Sequence, residues 1–169
     1  IASTLPYALN APQTNSVISI GAPAGPNGKL SIAGKVLADK AINLYSGEEA
    51  DGVSLDLTVT GLLETLHGSI NLHPGATSVM VGDVIAGGTG SDITVTASKA
   101  LEIRGNLWAD NNITVNAGTT PQAGTDSLRT YGTSSIKTLS GGTITLTSVN
   151  NLSVDSQIGP GSTGLTSIL

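Results

Sequence analysis

Ala100-Leu-Glu-Ile-Arg-Gly-Asn-Leu-Trp-Ala109, with Asn112-Ile-Thr-Val-Asn-Ala-Gly118 close behind it, decides how the rest of the chain reads. Apolar residues alternate with polar ones (Leu101, Ile103; Leu107, Ala109; Ile113, Val115, Ala117), a glycine divides the first two runs, and polar residues divide the last two. Period-two alternation with β-branched residues is the pattern of strands. The same phrase recurs as Lys29-Leu-Ser-Ile-Ala-Gly-Lys-Val-Leu-Ala38 with Ala41-Ile-Asn-Leu44, and as Ser78-Val-Met-Val-Gly-Asp-Val-Ile-Ala86 with Asp92-Ile-Thr-Val-Thr-Ala97. A repeat of about 20 residues built from short strands is the signature of a solenoid, whose function lies in reach and surface more often than in a catalytic pocket.

Aligned on the glycine, the phrases fall at Gly34, Gly61, Gly82, Gly105 and, more loosely, Gly132, with steps of 27, 21, 23 and 27 residues. A second column is the Ile of an Ile-x-Leu/Val pair: Ile42, Ile70, Ile93, Ile113 and Ile144, with steps of 28, 23, 20 and 31. The shortest steps leave room only for tight turns. The surplus of the longer ones falls where turn residues cluster, at 46–52, 73–76, 86–91 and 118–124. Helical patterning is nearly absent; its best candidate, 61–67, aligns as a strand of its rung. In each strand alternate residues point into the coil (Ile93 and Val95, Ile113 and Val115) and those between point out (Thr94, Thr114). The expected fold is all-β, a parallel β-helix of about six rungs of 20–30 residues; stacked at about 4.8 Å they make a rod roughly 30 Å long. Residues 1–28 read as an irregular or linker segment with one strand, Val17-Ile-Ser-Ile-Gly21, and 29–169 as the repeats of a fragment from a longer chain.

Composition agrees with a thin coil. The chain has 169 residues, 38% hydrophobic but only 2% aromatic, with no Phe, so its interior is a narrow column of Ile, Leu, Val and Ala. Only 11% of residues are charged and the net charge is −5 with no basic patch, which argues against a nucleic-acid partner. There is no Cys, hence no disulfide framework, and no apolar stretch of the roughly 20 residues that a membrane helix requires.

Asp92-Ile-Thr-Val-Thr-Ala-Ser98, Leu101-Glu-Ile-Arg-Gly-Asn-Leu107 and Asn111-Asn-Ile-Thr-Val-Asn-Ala-Gly118 together resemble the filamentous-haemagglutinin repeat. The likeness is best over 78–118 and fair over 29–77 and 127–155; it departs in the irregular steps, the long 118–127 loop and residues 1–16. That family includes two-partner-secreted adhesins and the shafts of contact-dependent inhibition toxins. The resemblance implies a right-handed parallel β-helix with three sheets per rung, an outer-membrane transporter as partner during secretion, and a secreted or cell-surface location. It implies no catalytic residues.

Several residues invite a chemical reading. Trp108 follows the inward Leu107 and so points outward, where an indole can anchor a partner or a sugar ring; the default is that a loop covers so large an apolar group. The loops at 47–52, 73–78 and 118–127 are candidate contact regions, with Glu48, Glu49, Asp51, Thr119, Thr120 and Gln122 as candidate partner-binding positions beside Trp108. Gly87-Gly-Thr-Gly-Ser-Asp92 resembles one turn of a calcium-binding nonapeptide array, but it is a single copy with its apolar residue displaced, and it reads as a turn between rungs. Glu48-Glu-Ala-Asp51 reads as solvated surface, and His67 with His73 lacks the third and fourth ligands of a metal site. No metal or cofactor is expected. The acids do not share one column, as paired carboxylate chemistry would need, so no enzyme is expected. The outward Thr94, Thr96, Thr114, Thr145 and Thr147 suggest a threonine ladder, broken by Asn43, Asn71 and Asn116; stacked polar side chains are the default.

The expected role is a structural or adhesive segment of a large secreted bacterial surface protein, attaching to a host or neighbouring-cell receptor or glycan, or projecting a distal binding region. The alternatives are a carbohydrate-active β-helix, such as a polysaccharide lyase or depolymerase, and the shaft of a contact-dependent growth-inhibition toxin.

Overall fold

The computed structural model describes residues 2–5, 9–11, 15–21, 29–46, 57–74, 78–118, 127–160 and 166–168. Its first turn consists of β1 (Ala2–Leu5), β2 (Leu9–Ala11) and β3 (Val17–Gly21), and its second of β4 (Lys29–Ile32), β5 (Val36–Ala38) and β6 (Ala41–Tyr45). The third has β7 (Leu57–Val59), β8 (Leu63–Thr65) and β9 (Ser69–His73), and the fourth β10 (Ser78–Met80), β11 (Val84–Ala86) and β12 (Ile93–Ala97). The fifth has β13 (Leu101–Ile103), β14 (Leu107–Ala109) and β15 (Ile113–Ala117). The sixth has β16 (Ser127–Thr130), β17 (Ser135–Thr138) and β18 (Ile144–Ser148), and the last β19 (Asn151–Val154), β20 (Gln157–Pro160) and β21 (Thr166–Ile168).

Each strand pairs in parallel with the strand one turn away. Sheet A is β1-β4-β7-β10-β13-β16-β19, sheet B is β2-β5-β8-β11-β14-β17-β20, and sheet C is β3-β6-β9-β12-β15-β18-β21. The molecule is a parallel β-helix of three sheets, as the repeat of about six rungs implies, with seven strands in each sheet among the described residues. Residues 1–28 read from sequence as irregular or linker with one strand; their described residues carry β1 and β2 beside β3, and β1 and β2 pair with β4 and β5. Poor alternation and the prolines at 6 and 12 hide this turn from pattern reading, because pairing on a sheet edge is made by backbone groups.

The register follows the apolar columns. Ile42, Ile70, Ile93, Ile113 and Ile144 stand on one another through sheet C, and Leu44, Leu72, Val95, Val115 and Leu146 form the parallel row two residues on. All ten side chains have no exposed surface. A one-residue slip would turn such a row out to solvent, so burial itself holds the register. Sheets A and B contribute the other walls of the column, among them Leu30, Leu57, Met80, Leu101 and Leu128 from A, and Val36, Leu63, Val84, Leu107 and Ile136 from B.

The glycine column is the corner between sheets A and B. In the corners 60–62, 81–83 and 104–106 two successive N–H groups share the carbonyl that ends the strand one rung back: Thr60 and Gly61 on Ile32 (2.9 and 3.1 Å), Val81 and Gly82 on Val59 (2.8 and 2.9 Å), Arg104 and Gly105 on Met80 (2.7 and 3.1 Å). This draws the glycines together. A Cβ on Gly82 would lie 1.7 Å from the Gly61 carbonyl oxygen, and one on Gly105 2.2 Å from that of Gly82. Gly132, the loose member of the alignment, stands in the longer corner 131–134, where an added Cβ would meet nothing nearer than 3.6 Å.

The surplus residues are placed unevenly. The three longest connections, 22–28, 46–56 and 118–126, all run from sheet C to sheet A. The 74–77 connection, the other candidate contact region, leaves from the same edge.

Candidate functional site

Among the described residues, chemistry gathers on the outward face of sheet B and on the corner before it. The outward row of sheet B passes through Leu37, Glu64, Ile85, Trp108, Lys137 and Gly159. Trp108 points outward from between the fully buried Leu107 and Ala109, and is partly buried. Its ladder neighbour stands over its ring: the Lys137 Nζ sits 4.2 Å from the ring centroid. The indole Nε1 is buried with no acceptor among the described residues. Lys35 of the second turn and Glu64 of the third pair at 2.7 Å and cancel each other, while Lys137 has no carboxylate partner among the described residues. Beside Lys137 lies a shallow depression of about 220 Å³, lined by Ser135, Lys137, Gln157, Ile158 and Gly159.

On sheet A, Glu102 and Arg129 are ladder partners, and Arg104 and Tyr131 follow at the ends of their strands. Arg104 donates to Glu102 Oε2 through Nε (3.0 Å) and one terminal nitrogen (2.6 Å). The guanidinium groups of Arg104 and Arg129 lie 4.6 and 4.7 Å from the centroid of the Tyr131 ring. Hydrogen bonding from Arg104, aided by Tyr131 and the charge of Arg129, holds the Glu102 carboxyl below its ordinary range; burial opposes it. Both arginines of the chain, its single tryptophan and Lys137 thus come from the fifth and sixth turns.

The corner between sheets B and C carries acids engaged in structural bonds. The nearly buried Asp39 accepts from His67 Nδ1 (2.6 Å) and the Asn15 N–H (2.6 Å), which together hold its carboxyl below the usual value against the opposing effect of burial. Asp110 accepts from the Ser140 hydroxyl and the Gly90 N–H (2.8 Å), with the same effect. The glycine-rich stretch 87–92 is a turn. Gly88 and Gly90 have φ of 86° and 79°, the Ser91 hydroxyl caps the Ala86 carbonyl at 2.7 Å, and Asp92 Oδ1 accepts the N–H of Asn112 at 2.8 Å. His67 is bound to Asp39, while His73 stacks on Tyr45 with centroids 4.9 Å apart and rings 3° from parallel.

Side-chain ladders run along the coil. Asp83 Oδ1 accepts the Asn106 N–H (2.9 Å), and Asn106 Oδ1 accepts the Ser135 N–H (2.9 Å); Ser69, Asp92, Asn112 and Thr143 repeat the device at the start of sheet C. On the outward face of sheet C, Ser19, Asn43, Asn71, Thr94, Thr114 and Thr145 form one polar row, and Thr96, Asn116 and Thr147 another. Asn71 donates to Asn43 (2.9 Å) and Asn43 to Ser19 (3.2 Å).

Of the positions proposed from sequence, Trp108 is placed as expected with respect to Leu107. Glu48, Glu49, Asp51, Thr119, Thr120 and Gln122 lie outside the described residues, although the connections that hold them leave the same edge of the coil. Lys137 escaped sequence reading, yet its signal was present: it follows the inward Ile136 as Trp108 follows Leu107. Among the described residues no three metal-ligating side chains come together. The chain matches no family model, no curated protein and no solved structure.

Proposed function

We propose that this chain is a structural and adhesive β-helix segment of a large secreted bacterial surface protein, of the filamentous-haemagglutinin type. It attaches to a host or neighbouring-cell surface and sets a distal region away from the cell. The observation that carries the reading is the gathering of the three longest connections on the edge from sheet C to sheet A, while the corners from sheet A to sheet B stay at two to four residues. Loops on one edge of a rigid rod present a linear array to an opposing surface, and a scaffold with short corners elsewhere holds them in register. The repeat resemblance supports the secreted bacterial setting.

The test is attachment of the purified chain to cultured cells, beside a version lacking residues 119–125. Saturable attachment lost on deletion supports a receptor-binding edge. Absence of attachment by either leaves a passive shaft and overturns the adhesive part.

A further inference from the structure

The outward face of sheet B holds an aromatic ring, a cation and a small depression in adjacent ladder positions. Trp108 and Lys137 are successive members of one row, and Gly159 is the next. Gly159 leaves its position without a side chain, and a Cβ added there would meet nothing within 4 Å among the described residues. The gap is the depression of about 220 Å³ lined by Ser135, Lys137, Gln157, Ile158 and Gly159. Sites for drug-sized ligands run to roughly 300–1,000 Å³, so this one suits a single small ring and not a helix or a folded partner.

We propose that Trp108, Lys137, Ser135 and Gln157 form a subsite for a carboxylated sugar, a uronate unit of an acidic polysaccharide. The inference rests on the adhesive reading, for which it names a ligand class on the body of the coil. The indole offers an apolar face to the C–H side of a pyranose ring. The Ser135 hydroxyl and Gln157 amide both donate and accept, as sugar hydroxyls require. The Lys137 ammonium supplies the charge for the carboxylate. In the free protein it rests 4.2 Å from the indole centroid, without an acid among the described residues. A cation–π contact near solvent is weak, whereas a hydrogen bond between ammonium and carboxylate is among the stronger polar contacts. A carboxylate arriving in the depression therefore draws Lys137 off the ring, which uncovers the indole face for the sugar. A neutral sugar offers nothing to move the lysine.

Trp108 is the single tryptophan, so its emission reports from the site itself. The chain is titrated with short oligogalacturonate, with the methyl ester of the same oligomer, and with neutral dextran. The expected result is a saturable emission change with oligogalacturonate alone. Lys137→Gln should weaken it about tenfold, a change of about 1.4 kcal/mol. Gly159→Leu should abolish it by filling the depression, and both variants should melt like the parent because both positions face outward. No emission change, an equal response to the methyl ester, or undiminished binding by both variants would overturn the site. Uronate binding by a chain that fails to attach to cells upholds the subsite while the adhesive reading falls. Attachment without any uronate response does the reverse.

Discussion

Ile113 stands between Ile93 and Ile144 with no exposed surface, so it tests the inward column directly. Ile113→Asp puts an unpaired charge into the aliphatic interior and should cost about 3–5 kcal/mol, read as a lowered thermal midpoint; Ile113→Val, which deletes one methylene, should cost only about 1 kcal/mol. The glycine corner gives a second contrast. Gly82→Ala forces a methyl group to within 1.7 Å of the Gly61 carbonyl oxygen, while Gly132→Ala meets its nearest atom at 3.6 Å. The first should destabilise by roughly 1–3 kcal/mol or more as the rungs are pushed apart, and the second should leave denaturant unfolding within error. Both the inward column and the glycine column were legible in the sequence, since like residues recur wherever the environment repeats. The difference between Gly82 and Gly132 was legible only as a looser fit to the repeat; its cause is the longer corner at 131–134.

At the scale of the element, the corners depend on side-chain oxygens that satisfy backbone N–H groups of the next rung. Asn106→Ala removes the acceptor for the Ser135 N–H and the bond from its own amide to Asp83 at 3.0 Å. It should cost about 1–2 kcal/mol, at the usual value for lost hydrogen bonds. Asp39, Asp110 and Glu102 all have carboxyls held below their ordinary values. A carboxyl depressed in the folded state binds its proton more readily in the unfolded chain. Its stabilisation is therefore complete above the unfolded value, 3.8 for the two aspartates and 4.5 for Glu102, and is lost as pH falls through the lower folded one. The thermal midpoint should hold steady down to that range and fall below it, with Asp39→Asn flattening the fall. The outward Asn and Thr rows of sheet C were expected from sequence, but these corner ladders were not readable beforehand. Asn, Asp and Ser are ordinary turn residues, and their partners lie 19 to 31 positions away.

For the whole molecule, stability approximates a sum over neighbouring rungs. Central turns are covered on both sides, whereas among the described residues β19 is the end strand of sheet A, paired with β16 alone, and its side chains are partly or fully exposed. Amide exchange should be slowest in β12 and β15 and quickest in β19 to β21, a gradient that a uniformly cooperative domain would not give. Attachment, uronate binding and loop deletion belong to this scale too, because they ask whether one edge and one face of the rod do separate work.

The sequence by itself determined the strand pattern, the inward aliphatic rows, the parallel stacking and the glycine corner. Each follows from periodicity, and a periodic chain repeats its contacts as it repeats its residues. Only the tertiary structure decided that the first 28 residues include a full turn, that the longest connections share one edge, and that Lys137 covers Trp108 beside a gap at Gly159. Those features depend on which residues stand one rung apart. Rungs of unequal length make that distance irregular along the chain and constant, at one strand spacing, in the fold.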